Sequence, residues 1–216
     1  MNERLFTTLV RLVILVAVIP AHECAHAVVA GRLGDDTAKN LGRNTLNPLK
    51  HLDPVGSLLL LLTGFGWAKP VPISGRGFRN FKRDMAVTSL AGPAANVVLA
   101  FVFAVLYKLS LGVVNYSFLG LYFVDTVIWI TLSLAVFNMI PIPPLDGSRL
   151  LTALLPDRAY YTVMKYERVI MGVLMACLFL GILSLPIQRA TLFLYDLVDR
   201  ATFFLGYFPL GMHFSL

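Results

Sequence analysis

The chain has 216 residues, 57% of them hydrophobic and only 14% charged, with a net charge of +6 and a mean hydropathy of +0.75. Soluble domains of this length carry about 25% charged and about 45–50% apolar residues, so the composition excludes a disordered chain, a coiled coil and an ordinary water-soluble globule. What remains is an all-α polytopic membrane protein, because the apolar residues fall in runs long enough to cross a bilayer.

Residues 5–29 form the first such run, interrupted by Arg11, Pro20 and the cluster His22, Glu23, His26. A basic start and the small-x-small sequence Ala25-His26-Ala27 also suit a signal peptide. A cleavage site holding a glutamate and two histidines is a poor one, so the run reads as a span. Residues 31–84 are a polar-rich insert around an apolar island, 55–67, that carries Gly56, Gly64 and Gly66 and is followed by Pro70 and Pro72. The island is too short to span, which favours a re-entrant or interfacial segment. The prolines disfavour helix over residues 67–73 and limit any strand there to an edge, so extended structure is expected, in an element that dips into the membrane beside other helices.

Residues 85–111 are a second span, opened by Ala91-Gly92-Pro93-Ala94-Ala95-Asn96, whose small residues suit close helix contact. Residues 118–140 are a third, ending in Asn138 and Pro141-Ile142-Pro143-Pro144-Leu145-Asp146-Gly147. Three prolines in four positions forbid a regular helix, and unwound backbone at membrane depth must be buried in protein or line a cavity. Residues 169–185 are a fourth span, with Gly172 and Gly181 inside it. The tail, 188–216, mixes charges with aromatics and reads as an amphipathic interfacial helix. About four spans in a single domain, 1–216, are expected.

Thirteen of the eighteen Lys and Arg lie in two segments, nine from Arg32 to Arg83 and four from Arg149 to Arg168. This asymmetry marks cytoplasmic loops and predicts a multi-pass cell-membrane protein with its N-terminus outside. No soluble face is left to gather a basic patch, which excludes a nucleic-acid partner. Cys24 and Cys177 sit in apolar runs and read as small hydrophobes.

His22-Glu23-Cys24-Ala25-His26 has the form H-E-x-x-H. On a helix, positions i and i+4 share a face about 6 Å apart along the axis, so both imidazoles can reach one metal ion while Glu23 acts as general base on a water. Ionisable groups inside a hydrophobic span are costly and point to function; a histidine pair snorkelling at the helix end is the structural alternative. A catalytic zinc usually takes a third protein ligand. His51 and His213 sit in polar or terminal segments, and Asp125 lies at the opposite membrane side. Asp146 lies on the same side as His26, in the unwound turn, and is the best candidate; its alternative role is a helix N-cap.

H-E-x-x-H ending the first core span, Gly92-Pro93-Ala94-Ala95-Asn96 in the second, and Asn138-Met139-Ile140-Pro141 leading to Leu145-Asp146-Gly147 after the third together resemble the site-2 protease family of intramembrane zinc metalloproteases. The stretch from Gly66 to Pro72 also resembles the membrane-associated hairpin of that family, which implies a membrane-associated β-hairpin or re-entrant segment there. The resemblance implies one Zn2+ per chain held by His22, His26 and Asp146, with Glu23 as base. It further implies a transmembrane protein as substrate within the lipid bilayer, and regulated intramembrane proteolysis as the activity. Asn138 resembles the asparagine that holds substrate or oxyanion, and Asn96 is a second candidate; interhelical hydrogen bonding is the alternative for both. Many relatives carry a PDZ domain between core helices, a C-terminal CBS domain or an additional N-terminal span, and a minimal member without them is expected. The zinc site is expected near the cytoplasmic side. Two other readings are a homologue that binds a membrane protein without cutting it and a metal-ion transporter, which should show related halves.

Overall fold

The first apolar run folds as one rod despite the proline inside it. Helix α1 (Glu3–Val13) passes through a single π turn, Ile14–Val18, into α2 (Ile19–Arg32). Proline has no amide to give the helical ladder. The wider turn, closed by the Ile19 amide on the Ile14 carbonyl, lies immediately before Pro20, where a π bulge absorbs the lost bond. The computed structural model describes residues 3–64, 66–111, 118–205 and 210, and among these no strand occurs.

The insert contains α3 (Thr37–Asn40) and α4 (Pro54–Thr63). The Asp53 carboxylate caps α4 by accepting the Gly56 amide at 2.8 Å. At the other end the Arg11 guanidinium donates to the Leu61 carbonyl at 2.8 Å, one of the terminal carbonyls that a helix cannot satisfy itself. Ten residues make a helix about 15 Å long, half of the roughly 30 Å of a bilayer's hydrocarbon core. The expected β-hairpin is not formed. Among the described residues an isolated antiparallel bridge alone joins this stretch, Leu52 to Ala68, extended by the Lys69 amide donating to the His51 carbonyl at 2.8 Å. Pro70 and Pro72 remove alternate donors from the segment, and most of the island has become helix.

α5 (Phe81–Leu111) and α6 (Phe118–Asn138) are the long helices that follow. Among the described residues three helices are long and apolar enough to cross a membrane: Glu3–Arg32, Phe81–Ser110 and Gly120–Asn138. Then come α7 (Gly147–Leu154), α8 (Asp157–Lys165), α9 (Glu167–Phe179) and α10 (Ser184–Ala201). The expected fourth span, 169–185, is broken: α9 and α10 meet at 82° and count as a span only as a bent pair. Gly181 at the break has φ +72°, a left-handed conformation that ends a helix. α10 is more than a surface helix, since its Tyr195 and Val198 are buried in a cluster with Ala100, Ala104, Ile128 and Leu132 of α5 and α6. Residues 206–209 and 211–216 of the expected interfacial tail lie outside the described residues. A second cluster joins α1 to α6, with Phe6, Val10, Ile14 and Val18 against Val127 and the Phe6 ring stacked on Tyr122 at 5.0 Å.

Candidate metal centre

His22 and His26 lie one turn apart in α2, their rings edge to face with centroids 4.7 Å apart. Their Nε2 atoms are separated by 3.1 Å. The turn after α6 brings Asp146 Oδ2 to 3.2 Å from His22 Nε2 and 3.3 Å from His26 Nε2. The prolines make this possible: α6 stops at Asn138, and the unwound backbone satisfies itself through short bonds such as Ile142 N–H to Ile140 O and Leu145 N–H to Ile142 O. Asp146 Oδ2 is buried and makes no hydrogen bond among the described residues, although two nitrogens crowd it. Two imidazoles and a carboxylate are a zinc-type donor set, and tetrahedral ligands about 2.0–2.1 Å from zinc stand about 3.3 Å from one another. The three observed separations match that edge, so the residues fit the ion.

The neighbours hold this arrangement. His26 Nδ1 lies 2.8 Å from the Thr88 carbonyl of α5; a carbonyl only accepts, so Nδ1 carries the proton and Nε2 presents a lone pair, as a metal-binding histidine requires. Gly92 is packed so closely that a Cβ there would overlap the ring atoms of both His22 and His26. Glu23 Oε2 accepts the Val71 amide at 2.7 Å. Pro70 and Pro72 flank Val71, so this is the single amide donor of the tripeptide, and it points at Glu23. Arg43 Nη2 steadies the same segment by donating to the Lys69 and Pro70 carbonyls at 2.7 and 3.2 Å.

Asp35, in the loop after α2, ties down the far end of the segment. Its carboxylate accepts the Gly75 amide at 2.7 Å, the Thr37 amide at 3.0 Å and the hydroxyls of Thr37 and Ser74. Burial alone would raise this carboxyl, but those donors outweigh it and hold it below the ordinary carboxylate value.

Of the residues singled out in the sequence, His22, Glu23, His26, Asp146 and Asn138 line one cavity of about 320 Å³. The Asn138 side-chain amide donates to the Leu134 carbonyl of its own helix at 3.0 Å. Asn96 is not in the cavity wall; it is buried in α5, 1% exposed. Asp125 lies away from the cluster and accepts the Tyr195 hydroxyl. His51 is fully buried, with Nε2 2.7 Å from the Thr45 carbonyl; His213 lies outside the described residues. Thr88, Gly92 and the Val71 amide escaped the reading of chemical side chains. Their signals were the glycine among small residues at 91–95 and the Pro-Val-Pro spacing.

The profile of Peptidase family M50 matches residues 115–181. "Putative zinc metalloprotease YwhC" of Bacillus subtilis strain 168 is 44% identical over 150 residues, covering 66% of this chain and 67% of the relative. "Putative zinc metalloprotease Rip2" of Mycolicibacterium smegmatis is 34% identical over 132 residues, 58% of this chain and 49% of the relative. Rip2 of Mycobacterium tuberculosis strain H37Rv is 31% identical over 132 residues, with the same coverage. No solved structure gives a significant match. The chain thus spans two thirds of YwhC and about half of Rip2. With a zinc-type donor set between apolar helices and relatives of this kind, the chain belongs to peptidase family M50, the site-2 protease family of zinc metalloproteases.

Proposed function

We propose that the chain, acting as one intramembrane domain, hydrolyses peptide bonds in or near transmembrane helices of membrane-protein substrates. His22, His26 and Asp146 hold Zn2+, and Glu23 is the general base. The observation that carries this reading is the convergence of three ligand atoms, all within 4.8 Å of one another, in a cavity that Glu23 also lines. Zinc supplies Lewis acidity when bound, lowering the pKa of a water to about 7 and polarising a carbonyl.

The residues then divide the work. Thr88 fixes the His26 tautomer, so that Nε2 stays a ligand and cannot drift to donor duty. The Val71 amide holds Glu23 Oε2, which orients the carboxylate and leaves Oε1 to take the proton of the attacking water and return it to the leaving amine. Asn138, in the wall of the same cavity, is within the reach of a substrate carbonyl once its bond to Leu134 is exchanged. A substrate helix hides its amides in its own ladder, so the scissile segment must be unwound before it enters. Strand addition along residues 67–73 has little room, because the amides of Lys69 and Val71 are already engaged. Charge bias supports a zinc site near the cytoplasmic side, with Arg32 to Arg83 inside.

The decisive experiment compares wild type with Glu23→Gln on a transmembrane test substrate in proteoliposomes. The variant is expected to keep stoichiometric zinc and lose at least about a thousandfold in cleavage, the combined scale of base and acid roles. Unimpaired cleavage by the variant, or purified wild type lacking both zinc and cleavage, overturns the reading.

A further inference from the structure

Outside the metal centre, three arginines converge on one cavity. Arg32 ends α2, while Arg79 and Arg83 flank the start of α5, and all three line a cavity of about 440 Å³. None of the three makes an ion pair among the described residues, and the neighbouring acids are spoken for. Asp84 is 6% exposed and accepts the Asn80 amide at 3.0 Å. Asp35 is surrounded by its four donor groups, and Asp36 faces Lys39 at 3.9 Å. Three guanidinium groups around one hollow, with a single buried carboxylate in its wall, make a site for an anion, and guanidinium forks match phosphate geometry.

The hollow does not stand alone. Asn80 and Arg83 also line a second cavity of about 520 Å³, whose other walls are Ala86, Val87, Leu90, Leu150 and Leu154 apart from the stem of Lys82 and Ala153. Arg83, Val87 and Leu90 stand at i, i+4 and i+7, one face of α5, so this groove runs about 10 Å from the cationic hollow toward the middle of the helix. Leu90 in turn borders an apolar cavity of about 780 Å³ between α5, α6 and α10. Val87 and Leu90 stay 42% and 38% exposed and Leu154 85%, on a helix long and apolar enough to cross a bilayer. A cationic pocket at the end of two spans, sharing Asn80 and Arg83 with an apolar groove along one of them, has the polarity of an amphiphile.

We propose that this is a binding site for an anionic glycerophospholipid, its phosphate among Arg32, Arg79 and Arg83 and an acyl chain along Val87, Leu90 and Leu150. A free phosphate would use the hollow and leave the groove empty; a zwitterionic lipid would bring a cation into a site that already holds three. The site rests on the membrane reading of the chain and not on its peptidase chemistry, so either can fail without the other.

The test is native mass spectrometry of the full chain released from mixed micelles of phosphatidylglycerol and phosphatidylcholine. Wild type is expected to retain one phosphatidylglycerol in preference to phosphatidylcholine, and the R32Q/R79Q/R83Q variant to lose that adduct by at least about tenfold, the scale for removing several basic contacts to an anionic lipid. Arg76→Gln, on the same loop outside both cavities, should retain it, and Val87→Glu, which sets a carboxylate in the groove, should lose it with all three arginines in place. Millimolar inorganic phosphate should not displace the lipid. Equal retention of both lipids by wild type, or an undiminished adduct in the triple or Val87→Glu variants, overturns the proposal. Displacement by inorganic phosphate also overturns it, in favour of a soluble-anion site. Zinc content and Glu23-dependent cleavage, read on the same preparations, keep a failure here apart from a failure of the peptidase reading.

Discussion

Gly92 bears no functional group, yet the imidazoles of His22 and His26, the proposed zinc ligands, both lean on the space its missing side chain leaves. Alanine there should favour the helix by about 1 kcal/mol, so a loss cannot be ascribed to helix propensity. Gly92→Ala is expected to drop bound zinc well below one per chain, as measured by plasma mass spectrometry, while helix content by circular dichroism stays level. The Val71 amide is a comparable case, because a donor on the backbone is deleted by proline alone. On the proposed role of Glu23, Val71→Pro should lower kcat at least about tenfold, since misorienting a general base forfeits much of its typical factor of a hundred or more, with KM and zinc content unchanged. Ile73→Pro serves as the comparison. If it raises KM to the extent that Val71→Pro lowers kcat, substrate docking on this segment rather than alignment of Glu23 is the larger effect.

Between the helices, single polar side chains do work that apolar packing cannot. Arg11 is set into the first span, where a lone cation is expensive, and the carbonyl end of α4 is its compensation: helix C-termini carry a partial negative charge. Arg11→Met should release α4 from α1, seen as faster amide hydrogen exchange across residues 58–63 and a loss of about 1.5–3 kcal/mol, the usual value of a hydrogen bond to a charged group. The loop after α2 depends on Asp35 in a similar way. Its carboxyl titrates below the ordinary value of 3.8 in the folded chain, so its contribution is fully present above 3.8 and fades as the pH falls through the lower folded value. Asp35→Asn should therefore be less stable than wild type near neutrality, with the gap in thermal midpoint closing in strong acid. A gap that persists unchanged at low pH would show that shape rather than charge carries the staple.

Across the whole bundle, α10 is joined to α5 by an ion pair whose lysine is buried and whose aspartate is 25% exposed. Lys108 Nζ of α5 donates to Asp199 Oδ1 of α10 at 2.8 Å, the lysine side chain being 2% exposed. Removing one partner of a fully buried pair costs about 3–5 kcal/mol, because the other charge is left uncompensated, whereas replacing both by apolar groups is often neutral; the partial exposure of Asp199 puts this pair below that range. Asp199→Asn should lower the thermal midpoint sharply, and the K108M/D199L double variant should recover most of it. A double variant as unstable as the single one would mean that the geometry of the pair, not its desolvation, holds α10. The orientation of the molecule is testable in the same way at large scale. A reporter fused after Arg83 should be cytoplasmic, as the positive-inside bias requires; an external reporter would reverse the topology.

The helical character, the approximate span count and the grouping of His22, Glu23, His26 and Asp146 as one candidate site were legible in the linear chain, because each rests on a short-range rule. Apolar run length sets bilayer crossing, i and i+4 share a helix face, and three prolines in four positions unwind whatever helix precedes them. The local rules also misled where distant groups compete for the same backbone. The island around residues 55–63 became a helix with Arg11 at its end, the prolines at 70 and 72 left a bridge rather than a hairpin, and Gly181 split the expected fourth span so that α10 could turn back onto α5 and α6. The partners of the candidate site residues were beyond the reach of sequence for the same reason. Thr88 lies 62 residues from His26 and Val71 lies 48 from Glu23, and the contribution of Gly92 is an absence of atoms. A pattern of residue types records what each segment prefers on its own. Which carbonyl, amide or vacant Cβ meets a given side chain is settled only when the helices close on one another and every buried polar group must find its partner.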